Sequence, residues 1–345
     1  MEKPSLWWNY VSGAARYLED TVSATSKYRV LFVEEAPYME QFLHLLSERL
    51  QQWDSSLHID EIQADEWNSA QDVGESLMYH YANQTEYHPM DGTRPEYIAR
   101  NNLLAGRVLI VRETNRRKEW IDTAIEYAKF SSQRNGLIIL TYSVSLPLVA
   151  SRKGVQLIKW DNYITNYDMQ LFASYCIADR PGMKLELRNY ITQLASRMSG
   201  IDPELCSRLA IEEAANDTME LLQTLASNNE KAKKLVEHPQ FVYSIIWEAQ
   251  IQIVFPIIER LRRCFIERYS DELQSVLPQR DDFDKVLQSP EDMELRHMWY
   301  YYFKIKGFRS SDDDRSFRLL YNARNDLAHL DPLDSETVMK IVSLE

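Results

Sequence analysis

Three residues near the carboxyl end have the types and spacing that can cleave RNA without a metal ion. Residues 324–329 read RNDLAH, so Arg324 and His329 lie five positions apart and Asn325 follows the arginine. A histidine can move a proton near neutral pH, an arginine can hold a phosphate oxygen, and an amide can fix a backbone contact. The pattern therefore predicts Arg324, His329 and Asn325 as catalytic residues.

The surroundings of these residues resemble those of the HEPN superfamily, whose Arg-x4–6-His signature often appears as RNxxAH. A small Ala328 precedes the histidine, and the segment lies on the last long predicted helix of an all-helical region. The resemblance implies a metal-independent endoribonuclease, in which a ribose 2′-hydroxyl attacks the adjacent phosphate and leaves a cyclic phosphate and a free 5′-hydroxyl. His329 would act as general acid or base, Arg324 would stabilise the phosphoryl charge, and Asn325 would position the backbone or an opposing chain.

The spacing also bears on assembly. Residues five apart on a helix point about 140° away from each other, so one helix does not easily aim both side chains at one phosphate. Two antiparallel copies across a cleft can, and the HEPN family is understood to build its site as a homodimer. The resemblance further implies control by a regulatory protein partner, in a toxin or antiviral conflict system. The alternative is a non-enzymatic adaptor in which both parts of the chain bind protein.

Composition narrows the class of protein. The 345 residues carry a net charge of −13, which argues against nonspecific coating of nucleic acid, because that needs clustered Lys and Arg. No continuous apolar run has the length of a membrane span, and the first residues lack the apolar core of a secretory signal. The three cysteines form no CxxC pair, which is typical of a reducing compartment. We expect a cytoplasmic protein without a membrane partner.

The amino-terminal part alternates short apolar runs with helical periodicity. The runs at 28–33, 57–62, 107–111, 137–142 and 155–158 predict strands, and residues 37–53, 70–83 and 117–133 predict helices between them. Such alternation is typical of a parallel sheet covered on both faces. We therefore predict a doubly wound α/β domain over residues 1–180.

The order of these elements is similar to that of AAA+ and STAND nucleotide switches, and residues 191–209 resemble the helical lid of that class, which we place at 181–235. The phosphate loop is missing, since residues 34–40 read EEAPYME, without glycine or lysine. The third predicted strand ends in Arg112 and Glu113 instead of a magnesium-binding aspartate. We predict a degenerate pseudo-ATPase that binds no ATP, no GTP and no other cofactor; an unrelated doubly wound domain is the alternative.

Residues 236–345 are predicted to form an all-α, HEPN-like helical bundle. A long helix starts at 239 and contains Pro256, and further helices are predicted at 293–304, 315–329 and 334–343, with a charged loop at 310–315.

Three further groups of residues have types that could form a site. His80, His88, Asp91 and Glu96 lack metal-ligand spacing and indicate a solvated loop, so no metal is expected. Arg260, Arg262, Arg263 and Arg268 could grip RNA or pair with Glu259 and Glu267, and the sequence leaves both open. The aromatic run at 299–303 is predicted to be mainly core.

Overall fold

The computed structural model describes residues 2–67, 70–82, 87–143, 152–212 and 217–345. The chain divides into two compact units, Met1–Asp168 and Met169–Glu345. The division lies within a helix at Asn166–Ile177, ahead of the predicted boundary at 180. The predicted lid at 181–235 and the predicted helical domain at 236–345 therefore belong to the same unit.

Unit 1 contains a five-stranded sheet and its covering helices. The strands are β1 (Val30–Glu34), β2 (His58–Gln63), β3 (Arg107–Arg112), β4 (Leu137–Tyr142) and β5 (Val155–Ile158). The helices are α1 (Lys3–Tyr10), α2 (Ser12–Thr25), α3 (Met39–Trp53), α4 (Val73–Tyr81), α5 (Arg94–Arg100) and α6 (Glu119–Phe130).

All neighbouring strands of this sheet are parallel, in the order β2-β3-β4-β1-β5. On one face Phe32, Leu109 and Ile138 pack with the apolar side chains of α4, α5 and α6. The alternate side chains, such as Leu31 and Ile110, are also fully buried, so both faces are covered. The predicted α/β fold with a parallel sheet is confirmed.

Burial along each strand follows its place in the sheet. Every residue of β4 is buried, and β4 lies between β3 and β1. Strand β2 lies at the edge, and Ile62 is its only buried residue. A central strand is covered from both faces and paired on both sides, which explains why the continuous apolar runs marked the central strands most clearly.

A cluster of aromatic side chains lies at the carboxyl end of β1 in unit 1. Trp8, Tyr17, Phe42 and Trp160 are buried there, and the Tyr17 and Trp160 rings meet edge to face with centroids 5.1 Å apart. These residues come from α1, α2, α3 and the turn after β5, so the amino-terminal helices belong to the core of the unit.

Unit 2 is mainly helical. Its helices are α7 (Asn166–Ile177, shared with unit 1), α8 (Leu185–Ser199), α9 (Pro203–Ile211), α10 (Thr218–Leu225), α11 (Glu230–Glu237), α12 (Pro239–Arg268), α13 (Ser270–Gln274), α14 (Leu295–Met298), α15 (Lys304–Lys306), α16 (Ser311–Ala328) and α17 (Ser335–Leu344). A two-stranded antiparallel ladder, β6 (Gln279–Arg280) and β7 (Val286–Leu287), corrects the all-α prediction, because a hairpin forms within the polar segment after α13.

Helix α12 is the central element of unit 2 and packs against α8, α16 and α17. By length and composition alone it could cross a membrane, with a mean hydropathy of 1.5 over its most apolar stretch. Its buried side chains, including Ile245, Val254, Ile257 and Phe265, lie inside unit 2.

The aromatic run at 299–303 forms a π-helix, Trp299–Phe303, between α14 and α15. The prediction that this run is mainly core is wrong, because Phe303 is its only buried residue; the Phe303 ring stacks on Phe308 and packs against Phe317 of α16. Tyr300 is half exposed. The wider turn of a π-helix shifts the register of the side chains that follow it.

Candidate active site

The helix that carries the predicted catalytic residues starts earlier than the sequence indicated. Ser310 caps α16 by accepting the Asp313 N–H, and Asp312, Asp313 and Asp314 occupy its first turn. The predicted charged loop at 310–315 is therefore wrong. Acidic side chains suit this position because the amino-terminal end of a helix carries partial positive charge. Asp313 is buried and pairs there with Arg268.

The same helix ends at Ala328, so His329 lies just beyond it, at the C-cap. Leu330 follows in the left-handed region with φ of +67°. The Asp331 N–H donates to the Asp326 carbonyl at 3.0 Å and the Leu330 N–H to the Leu327 carbonyl at 3.4 Å. These two bonds form a Schellman cap, which satisfies carbonyl groups that the helix itself leaves free.

A tryptophan fixes this end of α16 on α12. The Trp247 indole N–H donates to the Leu327 carbonyl at 2.8 Å. Leu327 and Ala323 are buried on the side of α16 that faces the core. Arg324, Asn325 and His329 lie on the other sides of the same end of α16, and none of the three is buried.

The three predicted catalytic side chains differ in their surroundings. The Arg324 side chain is 31% exposed and forms an ion pair with Glu294, with Nη2 and Oε2 3.2 Å apart. Asn325 is half-buried and His329 is exposed. Across the described ranges of the chain, neither the side-chain amide of Asn325 nor the His329 ring forms a hydrogen bond. The arginine is thus held in place, while the imidazole is open to solvent.

Sequence reasoning missed the acidic partner of Arg324. Glu294 is the N-cap residue of α14, and its Oε2 also lies 3.6 Å from Arg296 Nε. Thirty residues separate Glu294 from Arg324 in the chain. Local sequence patterns do not reveal contacts between such distant positions. The pair forms because α14 packs against α16 in the folded chain.

A buried histidine lies beside this ion pair. The His297 Nδ1 accepts the Glu294 N–H at 3.1 Å, and its ring is almost fully buried. Burial, together with the nearby Arg296 charge, lowers the pKa of His297 below its ordinary value. A neutral ring with one nitrogen fixed in a cap is suited to holding the turn, whereas the exposed His329 is free to meet a substrate.

The basic cluster on α12, which the sequence left open, is mostly engaged within unit 2. Arg262 pairs with Glu259 at 2.8 Å and donates to the Met293 carbonyl. Arg260 pairs with Glu345 and Arg268 with Asp313. The structure therefore favours ion pairing over RNA binding for these three arginines; Arg263 is exposed.

At the carboxyl end of the unit 1 sheet, carboxylates occupy the region in which a nucleotide switch holds phosphate. The Glu34 carboxylate accepts a hydrogen bond from the backbone N–H of Trp160 at 2.8 Å. Burial, and then the charge of Glu113, raises the pKa of the Glu35 carboxyl above its ordinary value. The turn that follows contains Pro37, which has no N–H to donate. The acidic side chains of this turn are electrostatically unfavourable to a phosphate, and Pro37 offers it no donor.

His80 and His88 have other partners in the structure. The His80 ring stacks on Trp67 with centroids 4.6 Å apart, and His88 caps the short 3-10 turn Pro89–Asp91. In the part of the chain that the structure describes, no three His, Cys, Asp or Glu side chains are placed to hold a metal ion.

Comparison with known proteins adds no relative to this picture. No protein-family model matches the chain, and no curated protein sequence matches it significantly.

Proposed function

We propose that this protein is a metal-independent endoribonuclease of the HEPN type, with Arg324 and His329 as its catalytic residues. One observation carries the proposal: His329 is exposed and the Arg324 side chain is partly exposed, five positions apart at the carboxyl end of α16, so both are open to a substrate. A proton-transferring group and a phosphate-binding group are the two parts that such cleavage needs.

In this mechanism the exposed His329 ring transfers a proton to or from the reacting oxygens. Arg324 donates to the phosphoryl oxygens as negative charge builds on them, and a planar guanidinium can donate through two N–H groups at once. Asn325, beside it on the last turn of α16, positions the backbone or the opposing chain. The products are a cyclic phosphate and a free 5′-hydroxyl.

A second copy of the chain fits this arrangement. Arg324 lies within the helix and is tied to Glu294, whereas His329 lies at the C-cap, five positions later. We propose that the RNA site is formed by two copies, and that a partner protein controls it, as in a toxin or antiviral effector.

The decisive test is RNA cleavage by point variants. His329→Ala should abolish cutting, because losing a general acid or base typically lowers the rate by a factor of about 10²–10⁴. Arg324→Lys should also fail, since a point charge does not replace a planar fork on a phosphate. Cutting by the unchanged protein should persist in EDTA. Asn322→Ala, at an exposed position of the same helix, is the matched control and should cut normally.

Two results would oppose the proposal. His329→Ala protein that cuts RNA as fast as the unchanged protein removes the mechanism. An unchanged protein that never cuts RNA, with variants defective only in binding another protein, favours the adaptor alternative. Thermal unfolding of each variant shows whether the fold is intact.

A further inference from the structure

The carboxylate of Glu294 lies between two arginines. Its Oε2 is 3.2 Å from Arg324 Nη2 and 3.6 Å from Arg296 Nε. Both arginine side chains are 31% exposed and the Glu294 side chain is 49% exposed. The group is therefore reachable from solvent and is not sealed in the core.

A carboxylate oxygen and a phosphate oxygen are bound by arginine in the same way, through charge-assisted N–H···O hydrogen bonds. The position of Glu294 Oε2 thus marks a point that lies within hydrogen-bond distance of Arg324 and within ion-pair distance of Arg296, whose Nε lies 3.2 Å from His297 Nε2. Of these two arginines, Arg324 is the proposed phosphate-binding residue. The other, Arg296, has no assigned role in cleavage.

We propose that Glu294 sets the affinity of the site for RNA, because its carboxylate occupies the position in which a phosphodiester oxygen binds Arg324 and Arg296. The inference rests on the proposed function and adds two residues to it. Arg296 is the second phosphate-binding residue, and Glu294 is an internal competitor that the RNA must displace.

The local charges favour competition between the Glu294 carboxylate and an RNA phosphate over the binding of both at once. Asp282 lies 3.3 Å from Arg296, so two carboxylates already face the two guanidinium groups. A phosphate added to this neutral set brings excess negative charge, and that charge is relieved when the Glu294 side chain leaves.

When the Glu294 side chain leaves, α14 loses the half of its capping box in which this side chain accepts the His297 backbone N–H, and it keeps the other half. The backbone N–H of Glu294 donates to His297 Nδ1 at 3.1 Å, and this bond does not involve the carboxylate. His297 is buried and its ring is stacked beside Tyr301. The start of α14 therefore keeps its contact with His297 when the ion pair is broken.

The test is RNA binding in a background that does not cut. Full-length His329→Ala protein is titrated against a fluorescein-labelled single-stranded RNA at low salt, and anisotropy gives the Kd. Adding Glu294→Gln keeps an oxygen for the cap and removes the charge, so binding should tighten about fivefold, which corresponds to about 1 kcal/mol. Glu272→Gln, which removes an equivalent carboxylate from its pair with Arg309, should leave the Kd unchanged.

A mutant cycle separates the local effect from a change in net charge. With Arg324→Gln and Arg296→Gln both in place, adding Glu294→Gln should give little or no gain, because both guanidinium groups for which Glu294 competes are gone. Arg296→Gln alone should weaken binding. In cutting-competent protein, Glu294→Gln should lower KM and leave kcat unchanged, a split that a purely structural role would not produce.

Three outcomes are distinguishable. If Glu294→Gln binds RNA no more tightly than its parent, the proposal is overturned and the proposed ribonuclease stands. If the gain persists with both arginines replaced, the effect is general charge and the proposal is overturned as well. If no variant binds RNA at all, the proposed function is overturned together with this inference.

Discussion

At the scale of single residues, the surroundings of Glu35, in the turn after β1, disfavour the ionised form of its carboxyl group. Burial and the neighbouring Glu113 both raise its pKa, and the Thr141 hydroxyl only partly offsets them. Glu40, three positions after Pro37, is in the opposite situation, because its pairing with Arg112 lowers its pKa.

These opposite shifts predict opposite effects of pH on stability. Glu35 binds its proton more tightly in the folded state, so the free energy of unfolding falls as pH rises through the ordinary carboxyl range towards the folded pKa. Glu35→Gln should therefore stabilise unit 1 at neutral pH and have little effect at acid pH. Glu40→Gln should destabilise at neutral pH, and that difference should vanish at acid pH.

Urea unfolding of the full chain, followed by tryptophan fluorescence at both pH values, measures the two variants. Equal stability of Glu35→Gln and the unchanged protein at neutral pH would contradict the prediction. The Glu40→Gln variant is the internal control, because it tests the sign of the effect with the same substitution.

The candidate site shows how far single residues can be read from sequence. Arg324, Asn325 and His329 were found because they lie within six positions and their types match the chemistry. Glu294 was not found, because its link to Arg324 exists only where α14 packs on α16. The basic cluster on α12 stayed open for the same reason: Asp313 and Glu345, two of its partners, are distant in the chain.

At the scale of elements, Gln250 links α12, α8 and the segment after α16. Its side chain is fully buried, and its Nε2 donates to the Tyr190 hydroxyl at 3.1 Å and to the Leu333 carbonyl at 2.9 Å. Its Oε1 accepts the Leu333 N–H at 2.7 Å. The segment that leaves His329 is thereby tied to the central helix.

Gln250→Ala should lower the free energy of unfolding by about 2–4 kcal/mol, because buried groups on Leu333 and Tyr190 lose their partner and a cavity remains. Gln252→Ala is the matched control: the residue type and helix are the same, the side chain is exposed, and the change should stay within about 0.5 kcal/mol. Chemical denaturation monitored by circular dichroism compares them. Equal loss in both variants would show that the buried network contributes nothing.

Helix boundaries were predictable where the stop signal is a residue type. Gly200 follows α8 at a positive φ of +63°, as its sequence indicated. The end of α16 carries no such signal, because Leu330 adopts the left-handed conformation that glycine usually provides. The predicted motif helix therefore ran one residue too far, and His329 was placed on the helix instead of at its cap.

At the scale of the whole molecule, strand existence could be predicted and strand order could not. The apolar runs of β3 and β4 are nearly continuous, since both faces of a central strand are covered. The placement of β1 between β4 and β5 depends on pairing between segments far apart in the chain. No local periodicity encodes such pairing.

The proposed shared site predicts complementation between two inactive chains. If each site takes Arg324 from one copy and His329 from the other, a mixed dimer of Arg324→Ala and His329→Ala chains keeps one intact site. Random mixing should then restore about a quarter of the cleavage activity. Each variant alone should be inactive, and sedimentation should give a dimeric mass for the full chain. A monomeric mass, or no restored activity, would count against the shared site.

Tryptophan is unevenly distributed between the two units, so tryptophan fluorescence can distinguish the unfolding of one unit from that of the other. Trp7, Trp8, Trp53, Trp67, Trp120 and Trp160 belong to unit 1, while Trp247 and Trp299 belong to unit 2. Four of the first set are almost fully buried, so intrinsic fluorescence reports chiefly on unit 1. Far-ultraviolet circular dichroism reports on helices in both units. Two melting curves that fail to coincide would therefore reveal that the units unfold separately, without any label or truncation.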